Sequence, residues 1–151
     1  MTIRAVLFDV GGPIDTEEIS ERLIDRDIRL AVETAGVRVT DEALQRASDE
    51  AVASFAPDAY RAIIWSLAVR NEAVARAAYA RFASEEARAA RRTERGGIEL
   101  RPGIVDVLRA LQKDHLLLGL AANQPASIIN DLDRAGLAEL FQHREVSGHH
   151  G

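Results

Sequence analysis

Asp9 is the residue of this chain whose type and position most invite chemistry. It ends the apolar run Ala5-Val6-Leu7-Phe8, and Gly11, Gly12 and Pro13 follow almost at once. A carboxylate presented at a strand tip can act as a nucleophile and as a ligand to a hard cation. The glycines let the backbone turn without side-chain bulk, leaving amides, that of Gly12 among them, open to an anion. Asn123, in LAANQP after a second apolar run, is the next candidate. Its side chain and the amides after it suit an anion at a helix N-terminus, or it is a simple N-cap before Pro125; the residues leave both readings open.

Other candidates carry less. His149-His150, between two glycines, is a metal pair or a loop. His115 opens a predicted strand, and His143 alternates with apolar neighbours. Trp65 and Tyr60 share a predicted helix, facing substrate or packed in a helical core. Arg76, Arg81, Arg88, Arg91 and Arg92 read as a solvated face balanced by Glu85, Glu86 and Glu94. There are no cysteines, which excludes disulfides, thiol catalysis and cysteine zinc sites.

Asp9 and Asn123 need elements that bring them together. Residues 3–10 read as an apolar strand, broken only by Arg4 before the aspartate, the pattern of a parallel strand buried on both faces. Residues 15–35 then repeat at helical spacing through Ile19, Leu23, Ile28, Ala31 and Val32, with Gly36 as a stop. Thr40-Asp41-Glu42 opens a second helix, Pro57 the first turn of a third, and Asn71 caps a fourth running to about Arg92. TERGGIELRPG (93–103) interrupts the helices. Beyond it come a helix at 104–112, a buried strand at 115–121, a helix at 125–135 and a third strand within 141–148. This order predicts an α/β fold: a parallel-sheet core from residues 1–14 and 97–151, with an inserted helical cap at 15–96. Ligands of open α/β sheets bind beyond the carboxyl ends of the strands, where Asp9 and Asn123 both fall.

The bulk properties agree with a globular chain. A compact domain of 151 residues buries roughly 68–70% of its unfolded surface. The composition is 47% hydrophobic and 28% charged, and the net charge of −5 shows no basic face for nucleic acid. No run approaches the length of a membrane span or a signal-peptide core. A cytoplasmic protein is the expectation.

Taken in order, VLFDVGG, the helical insertion, LRPGIVDVLRAL, LLLGLAANQP and LAELFQHREVSG resemble the haloacid dehalogenase (HAD) superfamily of hydrolases with a helical cap of the first type. The resemblance covers essentially the whole chain. It implies a HAD-like Rossmannoid core and assigns Asp9 as the nucleophile that forms a covalent aspartyl intermediate. It also implies Mg²⁺, held by Asp9 and the backbone carbonyl of Gly11. Many members carry at position 11 a second aspartate, which protonates the leaving group; this chain has Gly11 there. The family's phosphate-binding serine or threonine matches Ala122, with no hydroxyl between His115 and Ala126. The family's lysine and acidic pair, expected shortly after VSG, are not among these residues. Arg144, Glu145, Asp131 and Asp133 lie inside predicted elements and do not replace them.

The expectation is therefore a HAD-like hydrolase acting on a small phosphorylated or halogenated substrate, here a truncated form with an incomplete, weak magnesium site. Neither nucleic acid nor membrane is an expected partner. A core of about three strands would leave a sheet edge through which copies associate. The alternative is a non-catalytic HAD-like interaction module. A third reading is a helical binding domain carried on a small α/β stub.

Overall fold

The computed structural model describes residues 3–149. In chain order the elements are β1 Ala5–Phe8, α1 Glu18–Thr34, α2 Asp41–Ala53, α3 Ala59–Leu67, α4 Glu72–Phe82, α5 Glu85–Arg95, α6 Ile104–Lys113, β2 Leu117–Ala122, α7 Ser127–Arg134 and β3 His143–Val146. Single 3₁₀ turns follow α7, at Ala138–Leu140, and β3, at Ser147–His149. Two compact units result. One joins the residues up to Ile19 with those from Gly96 onward; the other is Ser20–Arg95.

The first unit is an α/β layer. Its three strands are parallel, in the order β1-β2-β3, with Phe8 opposite Leu120 and Ala122 opposite Val146. Parallel neighbours need long crossovers, and both connections contain helices. One sheet face is apolar and covered. Val6, Phe8, Leu118, Leu120 and Val146 pack there with Ile104 and Leu108 of α6 and Ile128 and Leu132 of α7. The opposite face departs from the sequence expectation. Leu7 is 71% exposed and Leu117 58% exposed, so β1 is half-buried on alternate residues rather than buried on both faces. Both helices contribute to the same core cluster, which leaves the other row of side chains in solvent.

The second unit is helical throughout. Ile28, Val32, Leu44, Ile64, Leu67, Ala78 and Phe82 form its core, one apolar stripe from each of α1 to α4. Its boundaries are set by capping side chains. Thr40 Oγ1 accepts the Ala43 amide at 3.2 Å and opens α2. The third helix begins at Ala59 rather than at Pro57, because Asp58 Oδ1 accepts the Arg61 amide at 3.0 Å and is the N-cap. Asn71 Oδ1 accepts from Ala73 and Val74. The long helix expected from Asn71 to Arg92 is two helices. It breaks at Ala83-Ser84, where Ser84 Oγ accepts the Ala87 amide at 3.2 Å and starts α5. Arg91 leaves the solvated face predicted for it. Its guanidinium lies 4.4 Å from the centre of the Phe82 ring and 3.0 Å from Asp27. Among the described residues no helix is long and apolar enough to cross a membrane.

Candidate active site

Asp9 stands exposed immediately after β1, at the carboxyl end of the sheet. Its Oδ1 accepts the Val10 amide at 2.7 Å, which fixes one carboxylate oxygen. The chain then doubles back. Val10 O receives the amides of both Ile14 (3.1 Å) and Asp15 (2.9 Å), and Gly12 adopts φ +83°. That left-handed conformation suits glycine. The Gly12 amide is not open to an anion, as the sequence suggested; it donates to Asp15 O at 2.9 Å. Gly12 O accepts from Arg101 Nε.

A residue that sequence reasoning passed over holds this turn. Asp15 is 2% exposed and its Oδ1 accepts the amides of Glu17 and Glu99, each at 3.1 Å. Thr16 adds a backbone bond to Glu99 O (2.9 Å) and a hydroxyl bond to Glu99 Oε2 (3.0 Å), while the Arg101 amide reaches Ile14 O at 2.7 Å. The segment that interrupts the helices is thus a clamp on the Asp9 turn. These bonds keep residues 15–19 in the α/β unit, past the junction expected at residue 14. The clue in the sequence is an aspartate directly after a buried isoleucine, in a turn too short to solvate it.

Glu17 is the second residue missed. Its φ is +63°, a left-handed conformation that costs a non-glycine residue about 1–3 kcal/mol. Its carboxylate lies against Gly11. A Cβ placed on Gly11 would sit 2.7 Å from Glu17 Oε2 and 2.8 Å from Oε1.

Asn123 follows β2, at the same sheet end as Asp9. It is not the N-cap of α7, whose cap is Ala126 with no side-chain bond. Instead Asn123 Oδ1 accepts from Ser147 Oγ at 2.7 Å. The Gly148 amide donates to Gln124 O at 3.0 Å, locking the loop after β3 onto the loop after β2. Ser147 thus places a hydroxyl beside Asn123. The register places the Asp9 turn, the Asn123 loop and Ser147 at the same ends of three adjacent strands.

Asp9 and the Gly11 carbonyl are oxygen donors that fit Mg²⁺, an ion that commonly takes one or two carboxylates, substrate phosphate and several waters. Among the described residues no group of three or more His, Cys, Asp or Glu is placed to hold a metal. His150 lies outside those residues. His115 has φ +60° and sits in a turn before β2 rather than opening the strand. Arg134 pairs with Asp131 (3.1 Å), and Arg144 with Asp133 (2.5 Å).

The helical unit has a cleft of about 570 Å³ between α3 and α4, lined by Asp58, Arg61, Trp65, Arg76 and Tyr79 among others. Trp65 is 41% exposed and belongs to this wall, not to the core. Tyr60 is also largely exposed and meets Phe82 edge-on at 5.6 Å.

No family model and no curated protein matches the sequence. Solved structures do. A predicted phosphoglycolate phosphatase from Haemophilus somnus 129PT matches at 18% identity and TM-score 0.59, over 98% of this chain and 64% of that one. A predicted phosphatase from Clostridium acetobutylicum matches at 18% identity and TM-score 0.53, over 100% of this chain and 64% of its own. A hydrolase from Streptococcus pneumoniae TIGR4 matches at 14% identity and TM-score 0.55, over 100% and 70%. The chain thus spans about 64% of the length of the first two. The likeness is one of fold: a parallel α/β sheet bearing a long helical insertion, the haloacid dehalogenase-like fold.

Proposed function

We propose that this chain carries the nucleophile of a HAD-type hydrolase for small phosphate esters. A carboxylate of Asp9 attacks phosphorus, the bond to the leaving oxygen breaks, and water then hydrolyses the aspartyl phosphate. The observation that supports this reading is Asp9's place: exposed at a strand tip, in a turn clamped by residues 99–101, on a fold shared with proteins described as phosphatases. Asn123 and Ser147 would orient the phosphoryl oxygens. Mg²⁺, held by Asp9 and the Gly11 carbonyl, would offset the charge of the phosphate when bound. We place the protein in the cytoplasm, with a small molecule as its partner and neither nucleic acid nor membrane. A haloacid is the other electrophile that an aspartate nucleophile accepts.

The test is hydrolysis of p-nitrophenyl phosphate with and without Mg²⁺, beside release of halide from 2-chloropropionate. Asp9→Asn and chelation of Mg²⁺ should each reduce phosphate release to background. Equal turnover by Asp9→Asn and the unaltered chain would remove Asp9 from the chemistry.

A second reading, a non-catalytic HAD-like module, is favoured by the sparse donor set around Asp9. It predicts that Asp9→Asn alters nothing beyond stability.

A further inference from the structure

We propose that the cleft between α3 and α4 is a ligand site in its own right, taking a small flat aromatic carboxylate. The ring lies against Trp65 and the carboxylate on the Arg61 guanidinium. Nothing in this site uses Asp9, so it stands apart from the hydrolase reading.

The walls are two stripes at helical spacing. Asp58, Arg61 and Trp65 recur along one side of α3, and Glu72, Arg76 and Tyr79 along one side of α4. The buried core of the unit uses other residues of these helices, among them Ile64, Leu67, Ala78 and Phe82. Alanines line the cleft between its larger side chains, at positions 62 and 75, and leave the space open. Its volume of about 570 Å³ falls in the usual range for small-molecule pockets, roughly 300–1,000 Å³.

The charges in the cleft select the ligand. Both oxygens of Asp58 are taken, Oδ1 by the Arg61 amide at 3.0 Å and Oδ2 by the Tyr79 hydroxyl at 2.7 Å. Glu72 and Arg76 pair with each other across one helical turn. The Arg61 guanidinium is left over. It lies 5.6 Å from the centre of the Tyr79 ring and, among the described residues, makes no ion pair. A guanidinium steadied by a ring presents a planar fork that matches one carboxylate in two hydrogen bonds. A cationic ligand would meet Arg61 and Arg76, and a dianion would be repelled by Asp58 and Glu72, so a monoanion fits best. Trp65, 41% exposed on the wall, offers an aromatic face beside that fork, which is why the rest of the ligand should be flat and unsaturated.

The experiment is calorimetric titration of the full chain with 2-naphthoate as the probe. Two controls divide its features: 2-naphthamide keeps the ring without the charge, and cyclohexanecarboxylate keeps the charge without the ring. Naphthoate should bind with a stoichiometry of one and more tightly than either control. Arg61→Gln should weaken naphthoate by about 10–100-fold, the worth of hydrogen bonds to a charged group, and leave the amide unchanged. Trp65→Ala should weaken it by about 2–10-fold through the lost ring contact. Both side chains are exposed, so the fold should survive either change. Trp65 is the only tryptophan, so its indole N–H signal in a ¹H–¹⁵N spectrum reports occupancy without any substitution. That signal should move along the same binding curve. Asp9→Asn should bind naphthoate as the parent does.

No binding of naphthoate, or equal binding of naphthoate and naphthamide, would overturn the proposal. An indole signal that stays still while heat is released would overturn it too, by placing the probe elsewhere, such as on exposed Leu7 and Leu117. Loss of binding in Asp9→Asn would assign the acid to the Asp9 turn and remove this site, leaving the hydrolase reading untouched.

Discussion

Asp58 serves two roles in the helical unit, and both are readable as free energy. Its Oδ1 caps α3 through the Arg61 amide, and its Oδ2 accepts the Tyr79 hydroxyl at 2.7 Å, tying α3 to α4. Partial burial alone would raise its carboxyl. The Arg61 amide, the Tyr79 hydroxyl and the Arg61 guanidinium outweigh it and hold the group below the usual carboxylate range. The same hydrogen bond, donated to Asp58, pushes the Tyr79 phenol up. A lowered carboxyl contributes stability that is complete above its unfolded pKa and is lost as pH falls through the folded value. We expect Asp58→Ala to cost about 1 kcal/mol at neutral pH, the usual loss of an N-cap. The gap in Tm between the variant and the parent should close as the pH is lowered through the carboxylate range, measured by thermal melts followed by circular dichroism.

At the scale of elements, two glycines make opposite predictions. A Cβ on Gly119 of β2 would meet Leu7 Cδ2 at 2.4 Å, the tip of a flexible and exposed side chain. Gly119→Ala should therefore stay within about 1 kcal/mol of the parent, since Leu7 can swing aside and a strand disfavours glycine. A Cβ on Gly148 would meet backbone, Ala126 N at 2.4 Å and Pro125 C at 2.8 Å. Gly148→Ala should cost about 1–3 kcal/mol and part Ser147 from Asn123. Chemical denaturation of both variants separates the two cases.

The same elements mark how far the sequence could be read. The strands, the helical block and the position of Asp9 followed from periodicity and from the strand-aspartate-glycine turn. The split between α4 and α5 was hidden because Ala83-Ser84 interrupts an alanine- and arginine-rich run without glycine or proline. The exposed face of β1 was hidden because Leu7 is apolar whichever way it points. The site was half legible. Asp9, Gly11 and Asn123 announce themselves by residue type, but Asp15, Glu17 and Ser147 acquire meaning only when Glu99, Gly11 and Asn123 are brought beside them. Such pairings span up to 84 positions, and no local pattern encodes them.

For the molecule as a whole, the exposed row on the sheet is the main liability. Parallel sheets ordinarily have both faces covered, yet among the described residues Leu7 and Leu117 are exposed and β1 is an edge strand. We expect this chain to self-associate through that region at high concentration. Sedimentation of the parent and of Leu7→Ser with Leu117→Ser should show association weakened in the double variant. Tm should change little, because both side chains are already exposed. Monomeric parent protein at all concentrations would dismiss the interface.

The clamp on the Asp9 turn also sets an order of events. Among the described residues β1 pairs only with β2, and the turn after it is closed by residues 99–101. At a synthesis rate of about 5–20 residues per second, the first strand waits on the order of ten seconds for its partners to leave the ribosome. All five helices of Ser20–Arg95 are made in that interval and can pack among themselves. Phe8, Leu7 and Asp9 are the first part of the site to be synthesised and among the last to find their place. In a growing cell this interval, more than the finished fold, is when a chaperone would recognise the chain.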